Sequence, residues 1–260
     1  MRPLVSLWVG DQLGRLEQLC ILSALAAGHP FHLYSYEPSK LRGVPNGAEI
    51  FNAAEVMPRE RLLTYADSNS YALGANFWRY EMLALGLGYW VDLDVLLLKP
   101  FDFKEDYVLG REQEGTVNNA VLFAPSNSAL VRDLRDLPPR IGRPPWYGPR
   151  RSLQYLLRRI RNGRLRLEDY PWGTFGPGLL GYLVEKHGLS GFVQPSQVFY
   201  PLSWRTARML YGPSDQVEAL LSDQTRAIHL YNSQLRELAR ESPPIGSFMA
   251  KQFAKFDLRQ

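Results

Sequence analysis

Apolar and polar positions divide the chain into short apolar runs and longer segments of helical period. Leu4–Val9 is an apolar run of strand length. Apolar residues at 13, 16, 19, 20, 22, 25 and 26 then recur near helical spacing until Gly28, so Leu13–Ala27 predicts a helix. Phe31–Tyr36 is a second strand, and a right-handed crossover makes the pair parallel. Ala48–Asn52 predicts a third strand, and Ala72–Leu87 a helix ended by Gly88. Tyr89–Val91 and Val95–Leu98 are β-prone runs on either side of Asp92-Leu93-Asp94, and Pro100 closes the second. Further strands are expected over Tyr107–Gly110, Ala120–Ala124 and Ala227–Leu230. Further helices are expected over Ser128–Leu137, Arg151–Gly163, Gly178–His187 and Gln216–Ser222. Strands alternating with helices predict an α/β sheet covered on both faces. Pro138–Pro149 holds five prolines and two glycines. It predicts an irregular surface excursion, not a domain boundary.

The 260 residues are 45% apolar and 22% charged, the mix of a globular protein with ample core in one large domain or two small ones. The single cysteine, Cys20, excludes a disulfide scaffold and points to a reducing compartment. No apolar run reaches the roughly 18 residues of a membrane span; the longest, near Tyr89–Leu98, is broken by Asp92 and Asp94. Arg2 precedes an apolar stretch too short for an export signal and lacking a small-residue cleavage site. The expected location is cytoplasmic, with peripheral contact at the inner face of the membrane, or a protein whose anchor has been removed.

The formal charge of +4 is unevenly spread: nine arginines and no acid lie between Arg140 and Arg166. One explanation is a solvated helix face in a chain with 24 arginines and 6 lysines. The functional alternatives are an anionic lipid surface, nucleic acid or a phosphorylated substrate. No helix-turn-helix, zinc-finger or RRM signature accompanies the arginines, so nucleic acid is not the expected partner.

The strongest chemical signal is Tyr89-Trp90-Val91-Asp92-Leu93-Asp94-Val95. Two carboxylates stand where an apolar strand meets a loop, and open α/β sheets bind ligands at the carboxyl ends of strands. Holding two like charges together is unfavourable unless a cation neutralises them. Mn²⁺ and Mg²⁺ take oxygen ligands and share them with substrate phosphates. The pattern points to a carboxylate-held metal bound to a diphosphate. A surface turn with two solvated aspartates is the plain alternative, and the apolar runs on both sides weigh against it. A phosphatase or nucleotidyltransferase would use the same aspartates, but a phosphatase nucleophile wants Gly-Thr close behind, where Val95-Leu96 stand.

Asn76-Phe77-Trp78-Arg79-Tyr80-Glu81-Met82-Leu83, then Gly88 through Val95, then Leu98-Lys99-Pro100, resemble the sugar-binding region of Asp-x-Asp glycosyltransferases, in particular glycosyltransferase family 32, the α-1,4-galactosyltransferase and α-1,6-mannosyltransferase group. Asn118-Asn119-Ala120-Val121-Leu122, Gly176-Pro177-Gly178-Leu179-Leu180 and His229-Leu230-Tyr231-Asn232 resemble further elements of that family, in its order. Ser6-Leu7-Trp8-Val9-Gly10 with Glu17-Gln18-Leu19 resembles its bacterial members. The likeness runs from residue 4 to about 235.

The resemblance implies a GT-A, Rossmann-like fold with a mixed, mostly parallel sheet flanked by helices. The whole of residues 1–260 would form one catalytic domain, with a donor half at 1–125 and an acceptor half with a basic helical excursion at 126–260. The implied reaction is retaining transfer of a hexose from a nucleotide-diphosphate sugar, UDP-linked in the leading reading, to a glycan or lipid-linked acceptor. Asp92, Asp94, Arg79 and Glu112 would form the catalytic set. Trp8, Asn76, Arg79, Tyr80, Asp92, Asn118, Asn119, Gly176 and Pro177 would contact the donor, and Asp92, Asp94, His229 and Asn232 would hold Mn²⁺ or Mg²⁺. The chain departs from the family at Asn76, where Asp is usual, and at Leu87-Gly88, where Gly-Gly is usual. A degenerate, non-catalytic relative remains the alternative within the family.

Several of these residues also have plain structural readings. His229 could be a half-buried, hydrogen-bonded imidazole; His29 and His32 are expected to be structural, and His187 to favour a helix C-terminus. Asn118-Asn119 could form a turn before the Ala120 strand, and Glu112 and Glu114 could be solvated loop residues. Gly176-Pro177-Gly178 could simply start a helix, whose free N–H groups would also suit a phosphate or sugar oxygen. Among the residues placed near the donor, no carboxylate or imidazole is left over as a general base, which also favours retention.

Overall fold

The computed structural model describes residues 1–258, with the side chain of Pro139 left out. Strands β1 (Leu4–Trp8), β2 (Phe31–Ser35), β3 (Ala48–Asn52) and β4 (Tyr89–Val91) pair in parallel. The crossover inferred from the first strand–helix–strand unit is therefore present. β7 (Val117–Phe123) runs antiparallel to β4 and to β6 (Val108–Arg111), and β8 (Val193–Gln194) adds in parallel to β6. The sheet order is β3-β2-β1-β4-β7-β6-β8, mixed and mostly parallel as expected. A separate antiparallel pair joins β5 (Val95–Leu97) to β9 (Ala227–His229).

Alternate residues of each strand face opposite layers. Leu4, Leu33, Tyr89 and Val121 pack with α1 (Arg15–Ala26) and α9 (Phe248–Lys255). Val5, Tyr34, Trp90 and Leu122 pack with α2 (Ala72–Ala84), α3 (Ala129–Asp136) and α5 (Leu179–Lys186). Helices thus cover both faces. Trp78 of α2 is fully buried beneath the sheet, and its Nε1 donates to the Ala53 carbonyl at 3.1 Å. Gly88 precedes β4 at φ 144°, where a Cβ would collide with the Pro3 carbonyl oxygen. The glycine lets β4 lie against the start of β1.

An aromatic cluster of Tyr65, Tyr147, Tyr155, Tyr170 and Phe175 seats α4 (Pro149–Asn162) on the molecule. Residues 138–149 are mostly irregular and exposed, as their composition predicts, but that reading is corrected at two points. Pro138–Arg140 makes a 3₁₀ turn, and buried Tyr147 places its hydroxyl 2.6 Å from Thr174 Oγ1. Pro149 opens α4, a position where a missing N–H leaves no hydrogen bond unmade. The alternative of a turn before Ala120, and the placing of both asparagines ahead of the strand, are corrected too: β7 already begins at Val117, so Asn118 and Asn119 lie within it. Pairing with β6 shifts register here, from Leu109 opposite Leu122 to Gly110 opposite Asn118. The sheet ends on the short helix α6 (Ser196–Phe199) after β8, and α7 (Ser214–Glu218) and α8 (Asn232–Leu235) flank β9 in sequence.

Candidate functional site

A cleft of about 960 Å³ opens beyond Leu7 and Trp8 at the end of β1 and Asp92 after β4. The Asp92 N–H donates to the Ala120 carbonyl at 2.8 Å, which carries the β4–β7 pairing one residue past the strand. The chain then turns, with the Val95 N–H donating back to the Asp92 carbonyl at 3.1 Å. This turn sets the two carboxylates side by side. β5 leaves it antiparallel to β9, with Val95 opposite His229, so the sheet pairing brings the imidazole to Asp94.

Asp92 is held from the α2 side. Arg79 Nη2 donates to Asp92 Oδ1 at 2.6 Å, and Trp90 Nε1 donates to the same oxygen at 2.7 Å. Trp90 and Asp92 share a face because they are two residues apart on an extended chain. The guanidinium lies 4.4 Å from the Trp90 ring centroid and donates through Nη1 to Asn76 Oδ1 at 3.1 Å. Asn119 Nδ2 donates to the same Asn76 oxygen at 2.8 Å. Burial pushes the Asp92 carboxyl above its usual range, against the pull of Arg79.

Asp94 is held from the opposite side. His229 Nε2 lies 3.2 Å from Asp94 Oδ1, and the Asn232 N–H donates to Asp94 Oδ2 at 3.0 Å. Burial disfavours its charge as well, but His229 and these hydrogen bonds outweigh it and hold the carboxyl below its usual range. Burial likewise opposes a charged His229, yet the Asp94 carboxylate raises the imidazole pKa. Tyr231 adopts the left-handed region at φ 55°, which turns the chain into α8 and aims the Asn232 N–H at Asp94. A non-glycine residue there stores strain of about 1–3 kcal/mol, of the kind concentrated at functional sites.

Asp92, Asp94 and His229 offer two oxygens and one nitrogen, all within 4.8 Å of one another. His229 Nδ1 and Asn232 Oδ1 are buried without hydrogen-bond partners among the described residues. Orphaned buried acceptors call for an explanation, and an oxygen-rich set with one imidazole suits Mn²⁺ or a related divalent ion.

Trp8, Asn76, Arg79, Asn118, Asn119, Pro177, Glu112 and Asn232 line the cleft with the trio. Glu112 Oε1 accepts from Asn118 Nδ2 at 2.8 Å and from the Tyr231 hydroxyl at 3.1 Å. Tyr80 and Gly176 stand behind the wall. Tyr80 is fully buried and its hydroxyl donates to the Phe175 carbonyl at 2.6 Å. Gly176 backs the asparagines so closely that a Cβ would lie 3.0 Å from Asn76 Nδ2. Glu114 is exposed outside the cleft.

His29 has both ring nitrogens engaged by backbone, and His187 follows α5 with Nε2 3.0 Å from Asp133 Oδ2, as expected of structural histidines. His32 lies in β2, its Nε2 3.6 Å from Glu49 Oε1.

Residues that the sequence did not place at the site also face the cleft. Glu17 of α1 accepts from Asn232 Nδ2 at 2.8 Å, and burial raises its carboxyl pKa. Trp146, Trp172, Trp204 and Arg151 line the side built from later segments. The aromatic richness of the chain was the available signal for the tryptophans; their convergence was not.

No family model matches the chain, and no curated protein matches it. Among solved structures, the chain is similar to mouse xyloside xylosyltransferase 1 in its apo form. That match has 14% identity and a TM-score of 0.42, over 88% of this chain and 96% of that one. It is also similar to the galactosyltransferase LgtC in complex with donor and acceptor sugar analogues, at 14% identity and a TM-score of 0.37, over 87% of this chain and 86% of that one. Among the described residues, no helix is long and apolar enough to cross a membrane.

Proposed function

We propose that the chain is a metal-dependent glycosyltransferase of the GT-A type. It moves a hexose from a nucleotide-diphosphate sugar, UDP-linked in the leading reading, to a glycan or lipid-linked acceptor with retention at the anomeric carbon. The observation that carries this reading is the Asp92–Asp94–His229 trio at the strand ends of a large cleft, beside the orphaned Asn232 Oδ1. The ordered resemblance to family 32 supports the same reading.

Asp92, Asp94, His229 and Asn232 would hold the ion. When bound, Mn²⁺ or Mg²⁺ supplies charge that neutralises the donor diphosphate and its departing phosphate. The remaining tasks fall to the chain. Arg79 is fixed by Asn76, Asp92 and Trp90, and so presents positive charge to the donor without reorganising. The Asn76 amide accepts where the family has a carboxylate, which keeps the hydrogen bond and gives up a charge. Glu112 is oriented through one oxygen by Asn118 and Tyr231, and its other oxygen is available to position an acceptor hydroxyl. Trp146, Trp172 and Trp204 offer ring faces for the apolar side of a sugar in the acceptor half.

Asp92, Asp94 and His229 are assigned to the ion, and Glu112 is turned by Asn118 and Tyr231 to position the acceptor, so this reading assigns no residue as the base of an inverting attack. In the retaining route, the departing phosphate oxygen takes the acceptor proton on the same face. Calorimetric titration with UDP- and GDP-sugars, with and without Mn²⁺, identifies the donor, and proton NMR of the product reads the anomeric coupling. An α-linked product from an α-linked donor is expected. A large β-type coupling from a gluco- or galacto-configured donor would overturn retention and make Glu112 the missed base.

A further inference from the structure

The nine arginines of residues 140–166 are not a uniform solvated face, because the helix among them carries an outward apolar stripe. α4 is fastened to the molecule by one side only. Tyr155 is buried and Ser152 and Arg158 are half-buried. At about 3.6 residues per turn, these three share one side. Leu153, Leu156, Leu157 and Ile160 occupy the opposite side and are 57%, 51%, 57% and 73% exposed. Their i, i+3, i+4, i+7 spacing is that of a core-facing helix, yet it faces away from the protein.

Arginines border this stripe. By the same helical geometry, Arg150 and Arg161 stand on one flank of the stripe, and Arg159 lies beside Ser152 at the border of the packed side; all three are exposed. Arg158 is committed to the protein, donating to Asp67 Oδ2 at 2.7 Å and to the Asp169 carbonyl at 2.5 Å. Arg166 lies 4.0 Å from Asp169. The other seven arginines of the stretch pair with no carboxylate among the described residues.

We propose that α4 lies in the interface of an anionic lipid bilayer. The four aliphatic side chains enter the acyl boundary, and the flanking arginines sit among the headgroup phosphates. Three features select this occupant. A second copy of the chain would cover the leucines but bring two sets of unpaired arginines face to face. A nucleic acid would accept the arginines but offers no apolar phase to four aliphatic side chains, and base stacking wants aromatic ones. A bilayer satisfies both halves of the pattern. Arg151, in the first turn of α4, also lines the cleft, as does Trp172, which is 66% exposed. A helix lying in the headgroup layer therefore brings the cleft mouth to the membrane surface. None of this depends on the sugar chemistry.

Flotation of the full chain with vesicles tests the proposal, and partition rather than turnover is read. Binding is expected to phosphatidylglycerol-containing vesicles and not to pure phosphatidylcholine, and to weaken with salt. Leu153→Ser/Leu157→Ser/Ile160→Ser should lower partition at least about tenfold. Arg150→Gln/Arg159→Gln/Arg161→Gln should lower it by about fivefold for each arginine. All six side chains are exposed, so circular dichroism should be unchanged in both variants. The proposal fails if neutral and anionic vesicles bind equally, or if the serine variant floats like the wild type, which would mean adsorption by charge alone. It fails equally if sedimentation shows a dimer that the serine variant abolishes, or if duplex DNA binds more tightly than the vesicles.

Discussion

His29 and His229 are both buried imidazoles, near opposite ends of β5, and they do opposite things. His29 Nε2 accepts from the Phe101 N–H at 2.9 Å, which leaves the proton on Nδ1 to donate to the Arg2 carbonyl at 2.9 Å. Its ring is fully satisfied, and burial pushes its pKa down. His229 has one nitrogen on the Asp94 carboxylate and the other without a partner, and its pKa moves up. Burial is common to both, so burial does not mark the site. What marks it is a carboxylate on one nitrogen, an orphan on the other, and a second carboxylate within reach. The β-strand register creates that difference by placing His229 opposite Val95, one residue past Asp94.

The largest expected effect tests the carboxylate that distinguishes the two histidines. Asp94→Ala should lower transfer by at least about a hundredfold, the scale for losing one preorganised electrostatic group. The fold should survive, as read by circular dichroism, because the side chain borders an open cleft. Near-normal transfer in EDTA-washed buffer would remove the metal assignment.

Exchanging the histidines themselves comes next. His229→Ala should weaken Mn²⁺ binding at least about tenfold, by calorimetry, with little loss of stability. His29→Ala should do the reverse. It leaves the Phe101 N–H and the Arg2 carbonyl unsatisfied, at about 1–3 kcal/mol each, while the folded fraction keeps its Mn²⁺ affinity. Urea unfolding measures the loss. If His29→Ala abolished metal binding, the division between a structural and a functional imidazole would collapse.

How much of this was legible in the sequence follows from how local each feature is. The first strand–helix–strand unit, α2 and the Asp92–Asp94 turn are set by neighbouring residues, and the spacing of apolar positions found them to within a few residues. The contacts that complete the site are not local. Glu17 meets Asn232 across 215 positions, and Tyr231 meets Glu112 across 119. No periodicity encodes such pairs. Helices α6 and α8 have four residues each; such short helices are held by tertiary packing, and propensity alone does not form them. α9 went unpredicted although Ser247 caps it, accepting from the Ala250 N–H at 3.1 Å. α4 shows the limit from the other side: a helix expected over Arg151–Gly163 spans Pro149–Asn162, but its orientation was not legible. Its leucine spacing is audible in the sequence, but spacing says only that a face exists, and the fold decides which face turns inward.

A smaller effect tests the amide next to the trio. Asn232→Ala removes both the orphaned Oδ1 and the Nδ2 donor to Glu17, while its backbone N–H to Asp94 remains. Mn²⁺ affinity should fall by less than in His229→Ala. A larger fall would mean that the amide, and not the imidazole, is the stronger ligand.

The smallest effect is the share of acid-side stability that His29 contributes. A neutral ring is required there, because protonating Nε2 would set a new N–H against the Phe101 N–H. Burial lowers the folded pKa below the ordinary imidazole value, so just under that value the unfolded chain binds more protons than the folded one. Stability from this residue is therefore complete above the ordinary imidazole pKa and is lost as the pH falls through the depressed one. Melting temperatures at about pH 7.5 and about pH 5, compared between wild type and His29→Gln, isolate the contribution. Glutamine cannot take up the proton, so the variant should melt lower at neutral pH yet lose less on acidification. The carboxylates elsewhere in the molecule titrate alike in both proteins and cancel in the comparison. An acid loss equal in the two would show that the His29 ring tolerates its second proton, and that its two backbone contacts fix its place without fixing its charge.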